Sequence, residues 1–287
     1  MNYRHGFHAG NFADVVKHAT LARILLHLCT KPAAFRVLDT HAGAGLYDLE
    51  GDEATRGGEW QAGIARLREA RLALPADALL APYLTAIDAV NAAGLRRFYP
   101  GSPLIAQALL RKQDRLTACE LEPNAAAALS DALRGNVRVK AVAIDGWMAL
   151  KAYLPPKERR GLVVLDPPFE DPDEFGHLAD ALAAAHRKWP TGIMLVWYPI
   201  KRQADADRFL RHLRQVGLRD ALNVEFSIGD VQADTRLVAC GLVVVNPPWA
   251  LADELANLLP ALAGALGQGR GGFRIERFDV ESRPRVP

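Results

Sequence analysis

The sequence predicts an α/β fold with a mostly parallel sheet and helices on both faces, and three observations predict it. Short apolar runs rich in β-branched residues, such as Gly161–Leu165 and Leu237–Val245, have the length of buried strands. These runs alternate with segments of helical periodicity, the pattern of a parallel sheet covered on both sides. Several of them stop at an acid, at Asp39, Glu120, Asp145 and Asp166. In open α/β sheets the carboxyl ends of the strands are where ligands bind.

Composition sets the outer limits. The 287 residues, half of them hydrophobic and 24% charged, suffice for one large domain or for a domain with an insertion. A formal charge of +2 and a pI near 8.5 permit nucleic-acid binding without arguing for it. Cys29, Cys119 and Cys240 are too few and too scattered for a disulfide framework or a Cys-rich zinc site. His5, His8, His18, His27 and His41 match no zinc spacing, so no metal is expected. The first ten residues lack the apolar core of a secretory signal, and no stretch reaches the ~18 apolar residues of a membrane helix. A cytoplasmic monomer with no membrane contact is expected.

Residues 1–12, polar and Gly-punctuated, read as an ordered arm. Asp14–Leu28 carries Val15, Ala19, Ala22, Leu25 and Leu26 at helical spacing. The run from Ala33 to Asp39 is the first strand, and T-H-A-G-A-G is its loop. From Leu46 to Pro100 the strand–helix rhythm stops, while Glu59–Ala73 and Ala78–Ala93 keep helical periodicity. The expected organisation is therefore residues 1–45 as arm, first helix and first strand, 46–100 as a helical insertion, and 101–287 as the rest of the main domain. Ser102-Pro103 opens a helix, with serine as N-cap and proline at the first helical position. Strands follow at Asp114–Glu120, Val137–Ile144, Leu162–Leu165 and Gly192–Tyr198, with helices at Pro123–Arg134, Met148–Tyr153, Phe175–Lys188 and Ala204–Val216. Two late strands, Arg219–Ile228 and Leu237–Val245, are joined by a short link that suits an antiparallel hairpin at one edge.

The glycine loop Asp39–Gly45 is neither a P-loop, since no Gly-Lys-Ser/Thr follows, nor a good dinucleotide fingerprint, since Asp48 stands at the third glycine position. Glu120 is placed to accept from ribose hydroxyls, and Asp145 from an adenine amino group beside Gly146. Each acid alone reads as a solvated loop residue; together they outline a nucleoside site. The tetrad D-P-P-F at 166–169 adds an acid, two prolines with free carbonyls and an aromatic ring. The Asp166 carboxylate and the Pro167 carbonyl can accept both hydrogens of an exocyclic amino group, turning its lone pair outward. Phe169 can then stack on the extruded base. A second tetrad, N-P-P-W at 246–249, fits the same loose pattern. Asp166 is preferred because its strand should neighbour the glycine-loop strand at the topological switch point, whereas 246–249 ends an outer hairpin strand. Lys201-Arg202 follows a strand and is a candidate for phosphate contacts, while Lys157–Arg160 precedes one and falls on the opposite edge.

The blocks Y-R-H-G-F-H-A-G-N-F-A-D-V-V-K-H at 3–18, L-D-T-H-A-G-A-G at 38–45, Y-P-G-S-P-L-I-A at 99–106, D-P-P-F at 166–169, W-Y-P at 197–199 and N-P-P-W at 246–249 resemble the RlmJ family of S-adenosylmethionine-dependent methyltransferases. The resemblance implies a Rossmann-like methyltransferase fold that methylates adenine N6 in 23S ribosomal RNA and releases S-adenosylhomocysteine. It implies cofactor contacts at His18, His41, Ser102, Glu120, Asp145, Gly146 and Asp166, with Lys17 and Gly43 counted among them. Asp166, Pro167 and Phe169 of the D-P-P-F tetrad are the catalytic residues, and Tyr3 and His5 lie on the substrate side. Phe169 departs from the tyrosine of better-known members, which keeps stacking but loses a hydroxyl. Guanine-N2 and DNA adenine-N6 methylation, a non-catalytic RNA-binding factor and a dinucleotide oxidoreductase are the competing readings.

Overall fold

The computed structural model describes residues 4–92, 94–231 and 236–278. After a single 3-10 turn at His5–Phe7, the helix α1 (Phe12–Cys29) starts on the Asn11 side chain, which accepts from the Asp14 amide at 3.0 Å. Strand β1 (Phe35–Asp39) follows. The stretch from 46 to 100 opens with β2 (Leu46–Asp48), contains α2 (Asp52–Gly57), a π turn at Gln61–Ala65, α3 (Arg66–Glu69) and α4 (Ala76–Asp88), and closes with β3 (Phe98–Pro100). β2 and β3 pair antiparallel, so the two ends of this mostly helical stretch are held together. These two strands are too short to leave a pattern in the sequence.

Regular alternation then runs through α5 (Ser102–Leu109), β4 (Arg115–Glu120), α6 (Pro123–Ala132), β5 (Val139–Ala143), α7 (Gly146–Tyr153), β6 (Arg160–Leu165), α8 (Glu174–Lys188), β7 (Ile193–Pro199), α9 (Gln203–Gln215), β8 (Ala221–Ser227), β9 (Ala239–Val245), α10 (Leu251–Leu266) and β10 (Gly272–Phe278). Each expected strand and helix after residue 100 lies within a few residues of its expected place. The cap of α5 is corrected by one residue: Gly101 is the N-cap, and Ser102 is already helical. The Gly101 amide is tied to the Gly45 carbonyl at 2.7 Å, which fixes the turn before the serine.

The eight strands of the main sheet lie in the order β10-β8-β9-β7-β6-β1-β4-β5. β1 pairs in parallel with both β4 and β6, so the crevice at the switch point opens between the ends of β1 and β6. β8 and β9 form the expected antiparallel hairpin, but β9 turns inward between β7 and β8. β10, not expected from the sequence, pairs with β8 and closes that edge. α10 was also unforeseen, although Leu251, Leu255, Leu258, Leu259, Leu262 and Leu266 recur at helical spacing on its buried side.

Alternation along the strands divides the core in two. Val37, Leu162, Val164 and Leu195 face α1, α5 and α10 on one side of the sheet. Leu38, Val163, Leu165, Met194 and Val196 face α8 and α9 on the other. Where Tyr198 on β7 crosses Gly241 on β9, a Cβ at 241 would lie 1.9 Å from the tyrosine ring. Gly241→Ala is therefore expected to cost about 1–3 kcal/mol by overpacking, read as a lower urea midpoint; an unchanged midpoint contradicts this packing.

Candidate functional site

The loop after β1 is bonded to the strands on either side. Thr40 donates its amide to the Val164 carbonyl at 3.1 Å, and Ala42 donates to Cys119 at 2.9 Å. Gly43 takes a left-handed φ of 61° and donates its amide to Glu120 Oε2 at 2.9 Å. Glu120 Oε1 accepts from the amides of Leu121 and Glu122, both at 2.8 Å. Three backbone donors thus orient one carboxylate at the end of β4. Asp145 caps α7 by accepting from the Met148 amide at 2.9 Å. A Cβ at Gly146 would meet the Thr40 carbonyl at 2.4 Å and the His41 ring at 2.6 Å, so the β1 loop itself demands glycine there.

A buried cluster of charge lies beneath these strand ends. Lys17 Nζ bonds Asp166 Oδ2 at 2.5 Å and Asp14 Oδ1 at 2.9 Å. His5 Nε2 lies 3.1 Å from Asp14 Oδ2, which also accepts the Gly10 amide at 2.9 Å. Burial works against every charge here. The Lys17 ammonium and the neighbouring His5 ring nonetheless hold the Asp14 carboxyl well below its ordinary range, and Asp14 and Asp166 hold the Lys17 ammonium well above its own. Asp39, buried, is pushed up by desolvation to about 7, against the pull of the Ser102 hydroxyl and Lys17. Burial drives the His18 imidazole down to about 3 and that of His41 to about 4, so both rings are neutral at pH 7.

Two cavities open onto this end of the sheet. One of about 670 Å³ is lined by His5, Lys17, His18, His41, Gly43, Ser102, Glu120 and Asp166, among others. A smaller one of about 200 Å³ is lined by His41, Glu120, Asp145, Gly146 and Trp147. His41 and Glu120 face both, so the two form one continuous trough over β1, β4 and β5. All nine residues expected around a cofactor line it. His5, from the substrate side, does too, while Tyr3 lies outside the described residues.

The D-P-P-F tetrad is arranged differently from the expectation. Asp166 and Pro168 line the larger cavity; neither Pro167 nor Phe169 does. The Phe169 ring packs instead on Phe175 at 4.9 Å and Trp197 at 5.8 Å between centroids. Its φ of 52° is a left-handed conformation that a bulky side chain rarely adopts. Strain of this kind, about 1–3 kcal/mol, concentrates at functional turns. The other tetrad lies away from this trough because of strand direction. β9 runs antiparallel to β7, so Asn246 emerges at the opposite edge, where its side-chain amide donates to the carbonyls of Pro190 at 2.8 Å and Gly192 at 2.7 Å. Lys201 and Arg202 are exposed beyond β7 on the crevice edge, and Arg160 begins β6 at the far edge.

Sequence reasoning missed Asp14, Tyr83 and Tyr99. An acid three residues before Lys17 on an otherwise apolar helix was the available sign of the first. Nothing local marked Tyr83, and Tyr99 stood in the block at 99–106 with no role assigned to it.

The family model described as "Ribosomal RNA large subunit methyltransferase D, RlmJ" matches residues 32–278. The chain belongs to the RlmJ family. It is 39% identical to ribosomal RNA large subunit methyltransferase J of Escherichia coli (strain K12) over 93% of this chain and 94% of that protein. With the protein of the same name from Haemophilus influenzae it shares 38% identity, over 98% of this chain and all of that one. Protein LPL1258 of Legionella pneumophila superposes with a TM-score of 0.86 at 34% identity, covering 94% of this chain and 98% of its own. A probable spermidine synthase from Corynebacterium glutamicum, 14% identical with a TM-score of 0.53 over 93% of this chain and 75% of its own, shares the fold alone. Lys17 and His18 come from α1, an element outside the strand–loop pattern of the sheet and before the residues that the family model matches.

The neutral state of His18 has a measurable consequence. Its folded pKa of about 3 is depressed from 6.5, so between those values the unfolded chain binds a proton that the folded one does not, and stability is lost as pH falls. On acidification from pH 7 to 5, the wild type is expected to lose about 2 kcal/mol more than His18→Gln, measured by urea unfolding at both pH values. Equal losses contradict a buried neutral histidine.

Proposed function

We propose that this protein transfers a methyl group from S-adenosylmethionine to the N6 amino group of an adenine in 23S ribosomal RNA, releasing S-adenosylhomocysteine. The observation that carries the reading is Asp166, fixed by Lys17 at the switch-point crevice beside the glycine loop, on a strained D-P-P-F turn. The trough suits the cofactor in shape and in chemistry. Glu120 can accept from ribose hydroxyls, and Asp145 with the Gly146 backbone borders the smaller cavity where a base would sit. His18 lies on the wall of the larger cavity with Nε2 buried and unpartnered, a ready donor for a carboxylate. S-adenosylmethionine supplies an electrophilic methyl group when bound, and a sulfonium needs no metal to activate it.

The side chains divide the remaining work. Lys17 takes Asp166 Oδ2, and Oδ1 accepts no hydrogen bond among the described residues. That oxygen is open to an incoming amino group. By accepting one amino hydrogen, Asp166 draws the nitrogen toward tetrahedral geometry and exposes its lone pair to in-line attack, so most of the gain comes from positioning. Asp166 need not be a strong base, because the nitrogen proton becomes acidic once the methyl is attached, and solvent can remove it. His5, on the cavity wall beside Asp14, marks the side from which the base enters. Phe169 stiffens the turn through Phe175 and Trp197, and stacking on the base would require its ring to turn toward the cavity. We assign residues 46–100 as an insertion in the methyltransferase domain, closed by β2 and β3. The same reading makes the protein a cytoplasmic monomer.

Incubation with methyl-labelled S-adenosylmethionine and unmodified 23S RNA, followed by digestion to nucleosides, should place the label in N6-methyladenosine. Label in guanosine overturns the base assignment. Asp166→Asn should lower turnover on the order of a hundredfold or more, while Asn246→Ala should keep it within about twofold and cost about 1–3 kcal/mol of stability through its lost backbone partners. The opposite pattern moves the chemistry to the far edge.

A further inference from the structure

His18 ends a chain of hydrogen bonds that begins outside the trough. Its Nδ1 lies 2.7 Å from the hydroxyl of Tyr99 on β3, and that hydroxyl lies 3.0 Å from the hydroxyl of Tyr83 on α4. The three side chains are at most 1% exposed. The His18 and Tyr99 rings stack at 5.7 Å with a 28° interplanar angle, so the imidazole plane is fixed as well as its nitrogen. Nε2 has no hydrogen-bond partner. The nearest acid oxygen is Asp14 Oδ1 at 3.8 Å, beyond bonding distance and already taken by Lys17 at 2.9 Å.

Proton bookkeeping decides the direction of the chain. The ring is neutral, so one nitrogen carries a hydrogen and the other a lone pair. If Nδ1 donates to Tyr99, and Tyr99 to Tyr83, the Tyr83 hydrogen has no acceptor. The Nε2 lone pair then faces the Asp14 carboxylate. If Tyr83 donates to Tyr99, and Tyr99 to Nδ1, both hydroxyl hydrogens are used. Nε2 then carries the remaining hydrogen, 3.8 Å from the negative Asp14. The second arrangement leaves one group unsatisfied instead of two, and that group is a donor on a residue that lines the trough.

We propose that Tyr83 and Tyr99 are positioning residues that fix His18 in the tautomer protonated on Nε2 and so aim that N–H at the carboxylate of the cofactor's methionyl group. The inference rests on the cofactor reading above for its target but not for the tautomer. It gives the stretch between β2 and β3 a role in the chemistry: through Tyr83, α4 holds one end of the cofactor grip.

The test uses the full-length protein labelled with 15N-histidine and free of cofactor, with the His18 signals assigned by their loss in His18→Asn. Two-bond 1H–15N correlations at pH 7 should show His18 as a single Nε2–H tautomer, and Tyr99→Phe should show a mixture of tautomers. Calorimetry with S-adenosylhomocysteine should find binding about tenfold weaker in Tyr99→Phe, and about threefold weaker in Tyr83→Phe, which keeps the adjacent donor but loses the one behind it. KM for S-adenosylmethionine should rise in step, with kcat within about twofold. Should Tyr99→Phe fail to fold, Tyr83→Phe carries both readouts. A wild-type ring protonated on Nδ1 overturns the proposal, as does unchanged binding in folded tyrosine variants. A wild type with the Nε2–H tautomer that binds no S-adenosylhomocysteine overturns the cofactor reading and the target of the N–H, leaving the hydrogen-bond chain itself intact.

Discussion

Lys17, buried between Asp14 and Asp166, is the interaction on which the site depends. Two carboxylates gathered at the base of a crevice repel one another and lose their hydration, and one shared ammonium offsets both costs. The same ion pair joins α1 to the turn after β6, across 149 residues of chain. Removing one partner of such a buried pair typically costs about 3–5 kcal/mol, because the remaining charge is stranded. The arrangement therefore stabilises the fold only while complete. It also commits one oxygen of Asp166 to the protein, which fixes the carboxylate's direction.

Strand direction sends two similar sequences to opposite edges of the sheet. D-P-P-F and N-P-P-W both follow apolar strands, and both place a residue in a left-handed conformation, Phe169 and Asn246. Asparagine tolerates that conformation well, and its side chain is spent closing a turn on backbone carbonyls. Phenylalanine tolerates it poorly, so the strain of the first turn is held in place by Phe175 and Trp197. β6 delivers its turn to the glycine loop of β1, and β9, reversed, delivers its own to the start of β7. One edge of the sheet gathers acids and glycines and the other gathers terminators.

The strand ends were legible in the sequence because each parallel strand closes on its own functional group. Glu120, Asp145 and Asp166 could be read from the residues that stop an apolar run, and the trough followed from their common edge. Strand order was only partly legible. Nothing in the run A-C-G-L-V-V-V says that it inserts between β7 and β8, since that depends on which neighbour it can pair with. The Lys17–Asp166 bond and the Tyr83–Tyr99–His18 chain were illegible for the same reason: they join residues far apart in the chain, and no local pattern encodes such a contact. Phe169 shows a different gap. Its type was readable as a stacking residue, but its packing against Trp197 depends on a backbone conformation that proline-rich turns do not announce. The resemblance of the N-terminal block supplied Lys17 and His18 as site residues, and the geometry supplied the partner of Lys17.

If Lys17 serves chiefly to hold Asp166, removing its charge separates catalysis from cofactor binding. The measurement that tests this most directly is kcat set beside the S-adenosylhomocysteine dissociation constant for Lys17→Met, in protein shown to be folded. The account predicts a kcat lowered on the order of a hundredfold and a dissociation constant within about threefold of wild type. A preserved kcat with cofactor binding lost would contradict it, and would make Lys17 a ligand of the cofactor instead of the residue that holds the catalytic carboxylate.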